Sequence, residues 1–217
     1  MSDGALWGWP ALSVLGAYHG INPGMGWLFA VALGIQEGTS RAVWRALIPI
    51  AAGHGLAIGA VVVPVWMVQA AVPAKTLKLV VASTLLAFGL YRVLRARHPR
   101  WGGMQIGFGH LTIWSFLVAS AHGAGLMVLP VLLGMTKGAP HGGVAVTHHH
   151  QAGMLGGPWM GLAATLVHTS VYLLVTGLIA WAVYAKLGLA ILRSAWLNLD
   201  LIWALALMAT GAFTLLL

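Results

Sequence analysis

The sequence predicts an all-α polytopic membrane protein with six transmembrane helices, arranged as two inverted three-helix repeats. Composition gives the first reason, because 60% of the 217 residues are hydrophobic and only 6% are charged, with a mean hydropathy of +0.91. A soluble domain carries charge on about a quarter of its residues. Length gives the second reason, since a helical span needs about 20 apolar residues and the chain contains six apolar runs of that kind. Residues 1–217 are therefore interpreted as a single transmembrane domain, with repeats at about 9–97 and about 107–217.

The six apolar runs are separated by short polar segments. They comprise residues 9–35, 42–72, 76–94, 107–135, 159–185 and 197–217. Tryptophans stand at many of their edges, as is typical of the two membrane interfaces. The Gly-rich stretch 137–157 contains His148, His149 and His150, which predicts a flexible polar loop on the outer side. Residues 186–196 fit either an interfacial helix or a continuation of the fifth run.

An internal similarity relates the two halves of the chain. His19 in the first run and His122 in the fourth are each followed by glycine, and the next runs carry His54 and His168 at corresponding places. Because each half would contain an odd number of spans, the second half enters the membrane from the opposite side. This is the inverted-topology repeat common among secondary transporters.

The distribution of basic residues predicts the orientation. With six spans, the loops opposite the termini contain Arg41, Arg45, Arg92, Arg95, Arg97, Arg100, Lys186 and Arg193. The side of the termini contains Lys75, Lys78 and Lys137. Since basic loops stay in the cytoplasm, we expect both termini to be non-cytoplasmic. We expect an integral membrane protein that is located in the bacterial inner membrane.

The first run is interrupted near its middle. Residues 21–26 combine a proline, which removes a backbone donor, with two glycines, which weaken a helix. We expect the helix to break here, although a packed proline kink is the alternative. Broken helices form binding sites at the midplane of many transporters, so Asn22, Pro23 and Gly24 are candidate substrate-binding residues. Four-residue glycine spacings such as Gly16/Gly20 and Gly55/Gly59 further predict close helix packing.

Four histidines lie inside the apolar runs, namely His19, His54, His122 and His168. Ionisable residues at membrane depth are costly and usually mark a functional site. All four fall near the midplane when depth is counted at about 1.5 Å per residue, so they are candidate ligands of one transition-metal ion, whether Zn, Ni, Co, Cu or Fe. They could instead carry protons. The alternative is that each histidine only forms a hydrogen bond with a neighbouring helix and has no further role.

The remaining composition excludes several functions. The chain has no cysteine, which removes disulfides and thiolate metal sites, and no Gly-x-x-x-x-Gly-Lys-Ser/Thr loop for ATP hydrolysis. Its net charge of +8 lies beside the apolar runs, which suits membrane topology rather than nucleic acid. Of the three carboxylates Asp3, Glu37 and Asp200, the last two are expected to pair with arginines. The expected partners are the lipid bilayer and a small ion or solute, and a homo-oligomer is compatible with the sequence.

The segment His19-Gly20-Ile21-Asn22-Pro23-Gly24, together with Gly53-His54, resembles the lysine-exporter superfamily and, within it, the nickel/cobalt transporter-like branch. The resemblance covers about residues 10–217 and implies two inverted three-helix units with histidines in the membrane. The chain departs from the branch in one respect, because the acidic His-Ala-x-x-Ala-Asp-His signature of nickel permeases is absent. The lack of cysteine separates it from the thiol electron carriers of the superfamily.

Together these observations favour a secondary transporter that moves a transition-metal cation or another small solute past a midplane histidine cluster. The alternative belongs to another class, because histidines on facing helices also hold haem or a redox metal in membrane proteins. A membrane metalloenzyme is a third reading, but few carboxylates are present to act as a general base. We therefore expect a transporter rather than an enzyme.

Overall fold

The computed structural model describes residues 3–68, 71–94, 107–136, 157–187 and 199–216. Every regular element within these residues is a helix. In chain order they are α1 (Asp3–Ile21), a 3-10 turn (Pro23–Met25), α2 (Trp27–Glu37), α3 (Ser40–Val68), α4 (Ala74–Leu94), α5 (Phe108–Ala121), α6 (Ala124–Thr136), α7 (Gly157–Ala182) with a π-helical end (Val183–Leu187), and α8 (Leu199–Leu216). The all-α class is therefore confirmed.

Several of these helices have the length and composition of membrane spans. Within the described ranges, three helices can cross a bilayer, namely Ser40–Val68, Lys75–Leu94 and Trp159–Lys186. α5 and α6 form a fourth crossing when taken together, with a bend of 58° between them. These helices are compatible with an integral membrane protein. The count of six spans stays a prediction, because the apolar helices Trp27–Glu37 and Ala204–Leu215 are shorter than a full crossing.

The helices pack around one apolar core. α1 lies against α7, α3 against α5, and α4 against α8, while α3 also contacts α7. The core contains the fully buried side chains of Leu12, Ile50, Ile58, Met127 and Leu132, which come from α1, α3 and α6. Large apolar residues such as Val14, Met67 and Leu174 are instead exposed on the outside of the bundle. That distribution suits a surface solvated by lipid.

Glycines allow two of these helix pairs to approach at backbone distance. A Cβ atom on Gly16 would lie 2.4 Å from the His168 carbonyl oxygen, and one on Gly53 would lie 2.3 Å from that of Thr112. Both distances are far below a normal contact, so only glycine fits. The four-residue glycine spacing predicts close packing correctly at Gly16/Gly20 but not at Gly55/Gly59. A Cβ atom on Gly55 or Gly59 would have nothing within 4 Å among the described residues.

The carboxylate Glu37 pairs with an arginine, as expected. Its Oε2 lies 3.5 Å from Nη1 of Arg45, and both side chains are exposed. The side chain of Asp200 and the residues that were expected to form a His-rich loop, 137–156, lie outside the described part of the chain. Residues 188–198 also lie outside the described part. They contain most of the segment 186–196, for which the sequence fits either an interfacial helix or a continuation of the fifth run.

Candidate functional site

Three of the four membrane histidines converge at the centre of the bundle. His19 comes from α1, His54 from α3 and His168 from α7, and all three are fully buried. The ring centroid of His19 lies 5.0 Å from that of His168 and 5.7 Å from that of His54. The closest polar approach is 3.4 Å, between the Nε2 atoms of His54 and His168. We call His19, His54 and His168 the histidine cluster.

Backbone carbonyls of α1 orient two of these rings. Nδ1–H of His19 donates to the Leu15 carbonyl at 2.7 Å, and Nδ1–H of His168 donates to the Leu12 carbonyl at 3.3 Å. A carbonyl oxygen can only accept, so each ring carries its proton on Nδ1 and keeps a lone pair on Nε2 when neutral. Histidines that bind metals are held in the same way, by a bond from the nitrogen that does not face the ion.

His54 differs from the other two rings in its hydrogen bonding. Its Nε2 faces the Nε2 lone pair of His168, so Nε2–H of His54 is the donor between them. The lone pair of His54 Nδ1 is then buried without a hydrogen-bond partner in the described residues. A buried polar atom without a partner is costly and often indicates function.

The separation of the two Nε2 atoms is also that of two ligands on one ion. Nitrogens bound to a tetrahedral zinc ion at about 2.0–2.1 Å lie about 3.3–3.4 Å apart, and the observed separation is 3.4 Å. The third ring is less well placed, because His19 stands edge-on to the planes of His54 and His168, at 72° and 81°. Accordingly, no group of three or more His, Cys, Asp or Glu side chains in the described ranges is arranged to hold a metal ion.

His122, the fourth predicted ligand, lies at the bend between α5 and α6. It caps α5 and is half-buried, and its Nδ1–H donates to the Val118 carbonyl at 2.7 Å. A Cβ atom on Gly24 would lie 3.8 Å from His122 Cε1, so the bend faces the interruption of the first run. His122 is also near enough to His19 for the two imidazoles to interact electrostatically.

The predicted break in the first run is confirmed, and it contains the candidate residues Asn22, Pro23 and Gly24. α1 ends at Ile21 and α2 begins at Trp27. Between them, Oδ1 of Asn22 accepts the Gly24 N–H at 2.9 Å, and Pro23 begins the 3-10 turn. The carboxamide oxygen of Asn22 is therefore engaged within its own turn. We call residues 22–26 the first break.

Several polar backbone atoms at the first break have partners within the protein. The Ile21 carbonyl accepts the indole N–H of Trp27 at 3.0 Å, and the Asn22 carbonyl accepts the Met25 N–H at 3.0 Å. The Met25 carbonyl accepts the hydroxyl of Tyr172. Irregular backbone at membrane depth needs such partners, because lipid supplies none. The break is thus stabilised by side chains on either side of it.

Tyr172 is a site residue that the sequence analysis missed. It is fully buried on α7 and its ring stacks on that of His54, with 4.0 Å between centroids and 18° between planes. The sequence did contain an indication of its role. Tyr172 follows His168 by four residues, so the two side chains share one face of the helix. A buried tyrosine also needs a hydrogen-bond partner for its hydroxyl, which a broken helix can supply.

Comparison with known proteins gives no relative. No family model, no curated protein and no solved structure matches this chain. The resemblance to the lysine-exporter superfamily therefore stays a prediction from residues 19–24 and 53–54. Function has to be argued from the chemistry of the site.

Proposed function

We propose that this protein is a secondary transporter that moves a transition-metal cation, or another small solute, past the histidine cluster. One observation carries the proposal, namely the convergence of three fully buried imidazoles from three helices beside a broken span. Burial of ionisable groups at membrane depth is costly and is kept where it serves an ion or solute pathway. Imidazole is a preferred ligand of the late first-row metals.

The ligands proposed for the cargo are the Nε2 atoms of His54 and His168. Their 3.4 Å separation suits two bonds to one ion, once the proton on His54 Nε2 has moved to Nδ1 of the same ring. His19 stands beside them, edge-on to both rings, as the proposed third and poorly placed ligand. A site with two well-placed ligands and one poorly placed ligand binds more weakly than a structural zinc site. Weak binding suits transport, because the ion has to leave as well as enter.

We further propose that the chain forms six spans in two inverted halves. The runs would be α1 with α2, α3, α4, α5 with α6, α7, and α8. The helix contacts support this, because α1 packs on α7 as α5 packs on α3, and α4 packs on α8. The first run of each half is also interrupted close to a histidine, two residues after His19 in one and at His122 in the other. In such folds one half moves against the other to give alternating access, and here that motion would have to uncover fully buried rings.

Close packing favours a transporter over a membrane haem protein. A haem with two axial histidines needs its macrocycle between the two imidazoles. Here His54 already has Tyr172 on its ring face at 4.0 Å and His168 Nε2 at 3.4 Å. A Cβ atom on Gly16 would lie only 2.4 Å from the His168 carbonyl oxygen, so α1 and α7 leave no slot for a porphyrin.

Uptake by proteoliposomes tests the proposal. Purified protein is reconstituted with a metal-sensitive dye inside, and uptake of Zn²⁺, Ni²⁺ and Co²⁺ is compared for wild type, His54→Ala, His168→Ala and His110→Ala. His110 is the control because it is an exposed histidine at the start of α5. Loss of a ligand lowers metal affinity or activity by about tenfold or more, so we expect that loss in the first two variants only.

Two outcomes would count against this function. Equal uptake by all four proteins, at the rate of empty liposomes, would refute metal transport by the histidine cluster. A haem absorption band in the purified protein that disappears in His54→Ala and His168→Ala would establish the redox alternative instead.

A further inference from the structure

The side chain of Tyr172 spans the distance between the histidine cluster and the first break. Its ring lies flat on His54, with 4.0 Å between the centroids. Its hydroxyl donates to the carbonyl of Met25, which is the last residue of the 3-10 turn in the break. Tyr172 itself is fully buried and lies one helical turn after His168 on α7. One rigid side chain therefore touches both the candidate ligands and the interrupted backbone.

The first break is shaped around this hydroxyl. Gly26, which follows Met25, has a φ of 155°, and a Cβ atom there would lie 2.9 Å from Tyr172 Oη and 2.9 Å from Ile50 Cγ2. A glycine is needed at such a φ and at such a close approach. Ile50, the other neighbour of Gly26, is also bonded to α5, because Ser115 Oγ donates to the Ile50 carbonyl at 2.8 Å.

We infer that Tyr172 is a positioning residue that couples occupation of the histidine cluster to the conformation of the first break. The inference rests on the transport function proposed above. An ion bound by both Nε2 atoms turns the His54 ring, because its Nε2 must then point at the ion and not at His168 Nε2. That rotation displaces the Tyr172 ring stacked on His54. Because the tyrosine is rigid between ring and hydroxyl, the displacement moves its oxygen relative to the Met25 carbonyl and weakens the bond that holds the break. Backbone at the break is then free to rearrange, as alternating access requires.

Amide hydrogen exchange tests the coupling without any transport assay. Exchange of the peptide covering residues 22–30 is measured by mass spectrometry for wild type, Tyr172→Phe and Tyr91→Phe, each with and without Zn²⁺. Tyr91 is the control because it undergoes the same chemical change at an exposed position on α4. Losing one hydrogen bond should raise exchange at the break about tenfold in Tyr172→Phe. Zn²⁺ should raise it in wild type and Tyr91→Phe, and should add little in Tyr172→Phe.

Transport kinetics supply the second readout. Phenylalanine keeps the ring on His54, so we expect Tyr172→Phe to leave the KM for Zn²⁺ within about twofold. It should lower kcat about tenfold, because without the hydroxyl the break no longer changes in step with occupation of the histidine cluster. Tyr172→Leu, which also loses the stacked ring, should raise KM in addition. If Tyr172 had only a structural role, Tyr172→Phe and Tyr172→Leu would both give less folded protein. The folded fraction would then show no change in kcat that is independent of KM.

The outcomes separate this inference from the function on which it rests. Unchanged exchange at the break and unchanged kcat in Tyr172→Phe would overturn the inference while leaving transport intact. Altered exchange in Tyr172→Phe, with no uptake by wild type, would refute the transport function and leave only a structural link. If Tyr172→Phe does not fold, His54→Ala replaces it in the exchange experiment. Removal of the stacked His54 ring should also raise exchange at the break. No increase in that variant would overturn the inference.

Discussion

The two interrupted runs are stabilised by different kinds of hydrogen bond. The first break leaves five residues between α1 and α2, whereas only His122 and Gly123 separate α5 from α6. The bend at His122 and Gly123, which we call the second break, is closed by local backbone bonds, from His122 N–H to Val118 and from Gly123 N–H to Ser120 at 2.9 and 3.0 Å. The first break depends on the distant Tyr172. One interruption is thus a local bend, whereas the other combines local bonds with a tertiary contact.

This difference assigns unequal roles to the two halves. A helix that ends in a left-handed glycine, as α5 does at Gly123 with a φ of 69°, is an ordinary local arrangement. A break whose carbonyls are satisfied from another helix responds when that helix moves. We therefore expect substitutions at the first break to cost more, and to reach further, than equivalent substitutions at the second.

The largest effect is expected for Gly26→Ala. The new Cβ atom would meet Ile50 Cγ2 and Tyr172 Oη at 2.9 Å, at a φ of 155° that alanine rarely adopts. Overpacking and backbone strain together should lower the free energy of unfolding by about 3 kcal/mol or more. Reversible unfolding in detergent measures it. Gly55→Ala is the control, because no described atom lies within 4 Å of its Cβ position, and an equal loss there would contradict the account.

An intermediate effect is expected for Trp27→Phe. The change removes the indole donor from the Ile21 carbonyl at the first break and leaves a small void, since Trp27 is only 6% exposed. The lost hydrogen bond and the void together should cost about 1–3 kcal/mol. The same unfolding measurement on Trp7→Phe, whose side chain is 75% exposed, should show almost no change. Equal values for the two variants would mean that the indole bond does not stabilise the break.

The smallest effect is expected for Gly123→Ala at the second break. Its φ of 69° costs an alanine about 1–2 kcal/mol. The nearest atom to the new Cβ would be Leu207 Cδ2 at 3.0 Å, so this buried side chain has to shift by only a few tenths of an ångström. Thermal unfolding alongside Gly26→Ala gives the comparison directly. If Gly123→Ala proves as damaging as Gly26→Ala, the two breaks are equally dependent on tertiary packing.

The sequence reveals the first break and conceals the second for a physical reason. Proline and glycine at 23–26 disfavour a helix whatever surrounds them, so the break could be predicted from residues alone. The pair His122-Gly123 lies in an uninterrupted apolar run, and one glycine inside such a run is compatible with a continuous helix. Whether it bends depends on what packs against it.

The histidine cluster was predictable in part. Depth in the apolar runs brings His19, His54, His122 and His168 to one level. It does not show that His122 lies at the bend after α5, and it does not set ring orientation, which depends on α1 carbonyls such as that of Leu12. Tyr172 was missed because an aromatic residue in an apolar run looks like ordinary core. The identity of the metal, the six-span topology and the inverted repeat stay predictions.

The contact between α1 and α7 has a consequence for how the protein is made. His168 bonds to the carbonyl of Leu12, 156 residues earlier in the chain. At about 5–20 residues per second, α1 leaves the ribosome about 10–30 seconds before α7 does. During that interval the Gly16 face of α1 lacks the helix against which it packs, and His19 lacks the imidazole of His168. The cluster is therefore completed late in synthesis, when α7 has been made.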